Sequence, residues 1–101
     1  MTEKVMSVIE KWKNDDTVVR FKEGADCYGI RVIGRGDNLF FQENENALIC
    51  DIDAVDAIIY ARSIKNWDGQ KKMQKSEKER VLSLIEKYYK NYINENVTVS
   101  H

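Results

Sequence analysis

The chain has 101 residues, 43% of them hydrophobic and 33% charged, with a formal net charge of −1. That is the size of a single domain, residues 1–101, with one modest core, and it leaves little room for a large enclosed substrate cleft. No run of about 18 apolar residues is present to span a membrane, and MTEKVMSVIEKWK lacks the apolar stretch of a secretory signal, so action in the cytoplasm is expected.

Residues 3–13 predict an amphipathic helix. Val5, Val8, Ile9 and Trp12 recur at helical spacing, and Thr2 is placed to cap it. Asn14-Asp15-Asp16 ends the helix in a turn. Residues 17–61 then read as an antiparallel meander of about five strands: 17–22, 28–35, 39–43, 47–53 and 57–61. The strands are separated by Glu23-Gly24-Ala25-Asp26, by Gly34-Arg35-Gly36-Asp37-Asn38 and by the turn at 43–46. Residues 62–75 are a polar loop. Ser76-Glu77-Lys78-Glu79 has the pattern of a capping box, opening a long helix to about Asn94. Val97-Thr98-Val99 predicts a short terminal strand. The expected fold is α+β, with both helices on one face of the sheet. The expected core is Val5, Val8, Ile9, Trp12, Val18, Ile30, Val32, Leu48, Cys50, Ile52, Ile58, Tyr60, Val81, Leu84, Ile85 and Tyr88.

Charge is segregated along the chain. Residues 1–60 carry seven Lys/Arg and twelve Asp/Glu; residues 61–101 carry nine and five. The 25 residues from Asp37 to Ala61 hold six acids and no base: Asp37, Glu43, Glu45, Asp51, Asp53 and Asp56. A stretch of one sign is either a docking surface for a partner of opposite sign or a hairpin kept soluble by its charges. The stretch 62–80, with Lys71, Lys72, Lys75, Lys78 and Arg80, is either a solvated loop and helix start or a surface for an anionic partner.

No catalytic or cofactor pattern is visible. The only histidine is His101, so no Ser-His or Cys-His pair forms within the body of the chain. Cys27 and Cys50 lie in strand-like contexts without CxxC spacing and are expected as buried free thiols. Neither an enzyme nor a metal site is expected.

The stretch Ile58–Ile85, IIYARSIKNWDGQKKMQKSEKERVLSLI, carries Tyr60, Ala61, Ser63, Ile64, Trp67 and Asp68, then Glu79 and Arg80. It resembles the small α/β immunity proteins of bacterial polymorphic toxin and contact-dependent growth inhibition systems, specifically the group numbered seventy-four. Where that family has a proline after Trp-Asp, this chain has Gly69. The resemblance implies a protein that neutralises a cognate toxin domain by binding it. The six acids of 37–56 would then face a basic toxin groove such as a nuclease has. Trp67 would either anchor the partner or pin its loop to the core. The other readings are a nucleic-acid-binding or regulatory module using 62–80, and a homo-oligomeric adaptor using the tyrosine-rich helix at Tyr89.

Overall fold

The computed structural model describes residues 2–101, with side chains from Val8 onward. The elements run α1 (Thr2–Lys13), β1 (Val19–Glu23), β2 (Asp26–Ile33), β3 (Asn38–Glu43), β4 (Asn46–Asp53), β5 (Ile58–Tyr60), α2 (Lys75–Tyr92) and β6 (Thr98–Ser100). The expectations of Thr2 as a cap and Val5 as core fall on side chains outside the described ones.

The strands form one sheet in the order β1-β2-β3-β4-β5-β6. The first five make the antiparallel meander expected from alternation and turn residues. β6 lies parallel to β5, with Val99 opposite Ile59, so the sheet is mixed and six-stranded. Parallel neighbours need a crossover, and the segment containing α2 supplies it by carrying the chain back to the start of β5.

The burial of β3 sets the layering. Successive strand side chains point to opposite faces, yet Leu39, Phe40 and Phe41 are all 0% exposed. Leu39 and Phe41 pack with Ile30, Cys50, Ile59, Val81 and Tyr88 beneath α2. Phe40 packs with Ile33, Ala47, Val18 and Ile9 of α1, with Trp12 and Ile49 at the margin. The two helices therefore cover opposite faces, which corrects the one-face expectation. A strand buried on both sides reads as a continuous apolar run, and Leu39-Phe40-Phe41 is one.

α1 is fixed by its C-terminal end. The Arg31 guanidinium lies 5.3 Å from the Trp12 ring centre, and Arg20 donates to the carbonyls of Trp12 and Lys13. Ile9 is buried, but Val8 is 47% exposed and is not core. On the other face, the Tyr88 ring sits 4.6 Å from Phe21 and 4.9 Å from Tyr28. Such aromatic pairs add to the burial of their area. β5 is one residue out of the expected phase: Ile52 opposes Ile59, so Ile59 is buried while Ile58 is half-buried and Tyr60 is 38% exposed.

The capping box is not formed. α2 begins at Lys75, Gln74 occupies the cap with an extended backbone, and no side chain caps it. Ser76 thus lies inside the first turn, and the acid that contributes there is Glu77.

Phe40→Ala should cost about 3–5 kcal/mol in urea unfolding, while Val8→Ala should stay within about 0.5 kcal/mol. A small loss at Phe40 would mean that α1 does not cover its face.

Candidate functional site

A polar network closes one end of the α2-side core. Glu43 is the one buried charged side chain among the described residues. Arg80 donates to both its oxygens, at 2.8 and 2.7 Å, and also to both oxygens of Glu77, at 2.9 Å each. The Trp67 indole N–H donates to Glu77 at 3.2 Å, and the Tyr28 hydroxyl donates to Glu43 at 3.2 Å. The hydrogen bonds from Arg80, followed by that from Trp67, hold the Glu77 carboxyl below its ordinary range. The carboxylates of Glu43 and Glu77 hold the Arg80 proton more firmly than usual. Two expected interface residues are thereby removed from the surface. Glu43 is spent on Arg80, and Trp67 is 4% exposed, its ring 6.2 Å from Phe41.

The rest of the motif around Trp67 seats the loop on β4. The Asp51 backbone N–H donates to Ser63 Oγ at 2.8 Å, and that hydroxyl donates to the Tyr60 carbonyl at 2.6 Å. Ile64 is buried, and the Asp68 N–H donates to the Ala47 carbonyl at 2.7 Å. Tyr60, Asp68 and Glu79 are motif residues that face outward.

Four of the six acids meet at one end of the sheet. The 34–37 and 53–57 turns lie side by side: the Ile52 N–H donates to the Asp37 carbonyl at 3.1 Å, and the Ala54 N–H to that of Gly36 at 2.9 Å. Gly36, at φ +92°, permits this approach, since a Cβ there would sit 3.2 Å from that of Ala54. Asp37 accepts from the Arg35 N–H, Asp53 from the Asp56 N–H and Asp51 from the Asn38 amide. Asp37, Asp51 and Asp56 are exposed, Asp53 half-buried, and none of the four is ion-paired among the described residues. At their tip stands Val55, 91% exposed. Glu45 is exposed at the opposite end of β4, in the β3–β4 turn, and does not join them.

The basic stretch surrounds a different feature. Arg62, Lys72, Lys75 and Lys78 line an open cavity of about 430 Å³, with Ala61, Met73 and Leu82 as its apolar part and Glu79 and His101 beside them. Arg80 belongs to the polar network and is not among them. Of the tyrosine cluster on which the adaptor reading rested, Tyr88 and Tyr89 are each 1% exposed and cannot make a contact between copies, while Tyr92 is 47% exposed. The exposed apolar residues near that end of α2 are Tyr92 and Ile93.

Among the described residues no group of three or more His, Cys, Asp or Glu is placed to hold a metal ion, and no helix is long and apolar enough to cross a membrane. Cys27, expected buried, is exposed on β2, while Cys50 is buried. Burial, reinforced by the charge of Asp51, pushes the Cys50 thiol up to about 12. No family model, curated protein or solved structure matches this chain.

Two outcomes follow from these environments. A thiol-reactive disulfide reagent near pH 8 should titrate Cys27 alone in the folded chain and both cysteines in denaturant, since the thiolate is the reacting form. Arg80→Met should cost about 2–3 kcal/mol in urea unfolding, toward the low end for a buried pair because Arg80 is half exposed. Adding Glu43→Gln should recover part of that loss; a strictly additive double variant would show that the two groups are not coupled.

Proposed function

We propose that this chain is an immunity protein: it acts in the cytoplasm of the cell that makes it, by binding and neutralising a cognate toxin domain, without catalysis of its own. The observation that carries this reading is the acidic end of the sheet. Asp37, Asp51, Asp53 and Asp56 converge there with no ion-pair partner among the described residues, although Arg62 and Lys65 share a surface hollow with Asp51, and Val55 projects from their midst. Like charges at close quarters cost stability, so a surface of this kind fits a protein that meets a basic partner. A nuclease groove, shaped to hold phosphates, is such a partner. The carboxylates would occupy the phosphate positions, and Val55 would supply an apolar anchor at the centre of the contact. The resemblance of the 58–85 stretch to the immunity family's pattern supports the same reading from a second direction. Ser63, Ile64, Trp67 and Arg80 build the scaffold, which leaves the turns free to vary with the toxin.

The test is co-expression with the product of the neighbouring upstream gene, purification on a tag carried by one partner, and a growth-rescue assay. One-to-one co-purification with rescue is expected. Asp51, Asp53 and Asp56→Asn together should weaken binding by tenfold or more, roughly the coupling of one close charge pair, and flatten its salt dependence. Glu45→Gln, at the far end, should leave binding unchanged. Full affinity in the triple variant would remove the acidic end from the interface.

A further inference from the structure

The acidic turn and the basic cavity are complementary in more than charge. The turn presents Asp53-Ala54-Val55-Asp56, an apolar knob between two carboxylates, with Val55 91% exposed. The cavity, about 430 Å³, presents a largely inverse surface: Ala61, Met73 and Leu82 flanked by Arg62, Lys72, Lys75 and Lys78, with one acid, Glu79, and His101 in the same lining. Lys72, Lys75 and Lys78 have no ion-pair partner among the described residues, while the Arg62 Nε–H donates to the His101 main-chain oxygen at 2.9 Å. No side chain caps the first turn of α2, which opens beside them, and its positive dipole end adds to the same field.

We propose that this cavity receives the Asp53–Asp56 turn of a second copy of the chain. Within one molecule the two features cannot meet. The turn precedes β5 and the cavity follows it at Ala61, so a strand of about 10 Å holds them apart at its opposite ends. Between molecules, Val55 enters the apolar part of the cavity while Asp53 and Asp56 lie against the lysines. The contact is heterologous, the knob of one copy in the hole of the next, so copies add head to tail. It is small and rimmed by solvated charges, so it is weak and salt-sensitive. A chemical reason favours this occupant over a nucleic acid strand: the floor of Ala61, Met73 and Leu82 suits an aliphatic knob such as Val55, and the one ring in the lining is the imidazole of His101. A copy engaged through its turn also hides Asp53, Val55 and Asp56 from any basic partner. The inference itself does not depend on the toxin reading.

The experiment is sedimentation velocity of the whole chain at low salt, over about 0.02 to 1 mM as suits a small interface, repeated in 0.5 M NaCl, with amide chemical shifts recorded over the same series. The average mass should rise with concentration and fall back in salt. Shifts should concentrate at 53–57 and at Lys72, Lys75, Lys78 and Leu82. Val55→Ser and Lys75→Glu, both at exposed positions, should each weaken association at least about threefold with an otherwise unchanged amide spectrum. Three results would overturn the proposal: a monomer at every concentration; association that survives both substitutions or maps to β1 or Tyr92; and lysine-dependent binding of a single-stranded oligonucleotide without self-association.

Discussion

Arg80 is the point at which separately folded parts of this chain become one body. Its guanidinium fans onto Glu43 at the end of β3 and onto Glu77 one turn back in its own helix. Through Glu77 it reaches the Trp67 indole, and through Glu43 the Tyr28 hydroxyl. One side chain thus joins β2, β3, the 61–74 loop and α2. A buried carboxylate is costly unless it is paired and its remaining lone pairs are met; Glu43 satisfies this with three donors. The planar fork of arginine suits two carboxylates at once, whereas a lysine ammonium would reach them only as a point charge. All of these hydrogen bonds form together only when sheet, loop and helix are correctly juxtaposed, so the network favours that arrangement as well as contributing energy to it.

The elements of this fold were legible in the sequence because each has its own local signal, and the arrangements that were not legible are those set by distant pairs. Alternation in 28–33 and 47–53 and the turn residues at 24, 34–37 and 44–46 locate β2 to β4 to within two or three residues. The phase of β5 was not decidable in that way, because Ile58 and Ile59 are both apolar and only the pairing of Ile59 with Ile52 chooses between them. The side on which α1 packs was hinted at by three successive apolar residues at 39–41, a run that asks for cover on both faces. Glu43 looked like a surface acid in a turn because its partner lies 37 positions away. Ser76 and Glu79 matched a cap by spacing, yet the cap falls two residues earlier, at Gln74, and it is Glu77 whose carboxylate the network uses.

Of the candidate site, the sequence showed the composition but not the grouping. Six acids without a base in 25 residues is a fact of the chain; that four gather while one is buried and one lies at the far end is a consequence of strand order. Two hairpin turns at the same end of neighbouring strands must meet, and the missing side chain of Gly36 lets them meet closely. The basic residues follow the same logic. They fall in the crossover that returns to β6, which carries them to the end of β5 away from the acidic turn. Segregation along the sequence becomes segregation in space because the meander keeps neighbours in sequence as neighbours in the sheet.

The acidic end also separates two roles that one carboxylate can hold. Asp37 and Asp53 each accept a backbone N–H within their own turns, from Arg35 and from Asp56. An aspartate in such a position shapes the backbone through its oxygen, not through its charge. Asparagine keeps that oxygen as an acceptor and removes the charge. Lysine would remove both, and a loss of binding after such a change would report a broken turn as readily as a lost charge. Asp56, whose side chain makes no hydrogen bond among the described residues, and Asp51, which meets only the Asn38 amide, are not needed to close a turn. If charge is the reason these four acids share one surface, neutralising them as amides leaves the shape intact and takes away only the field.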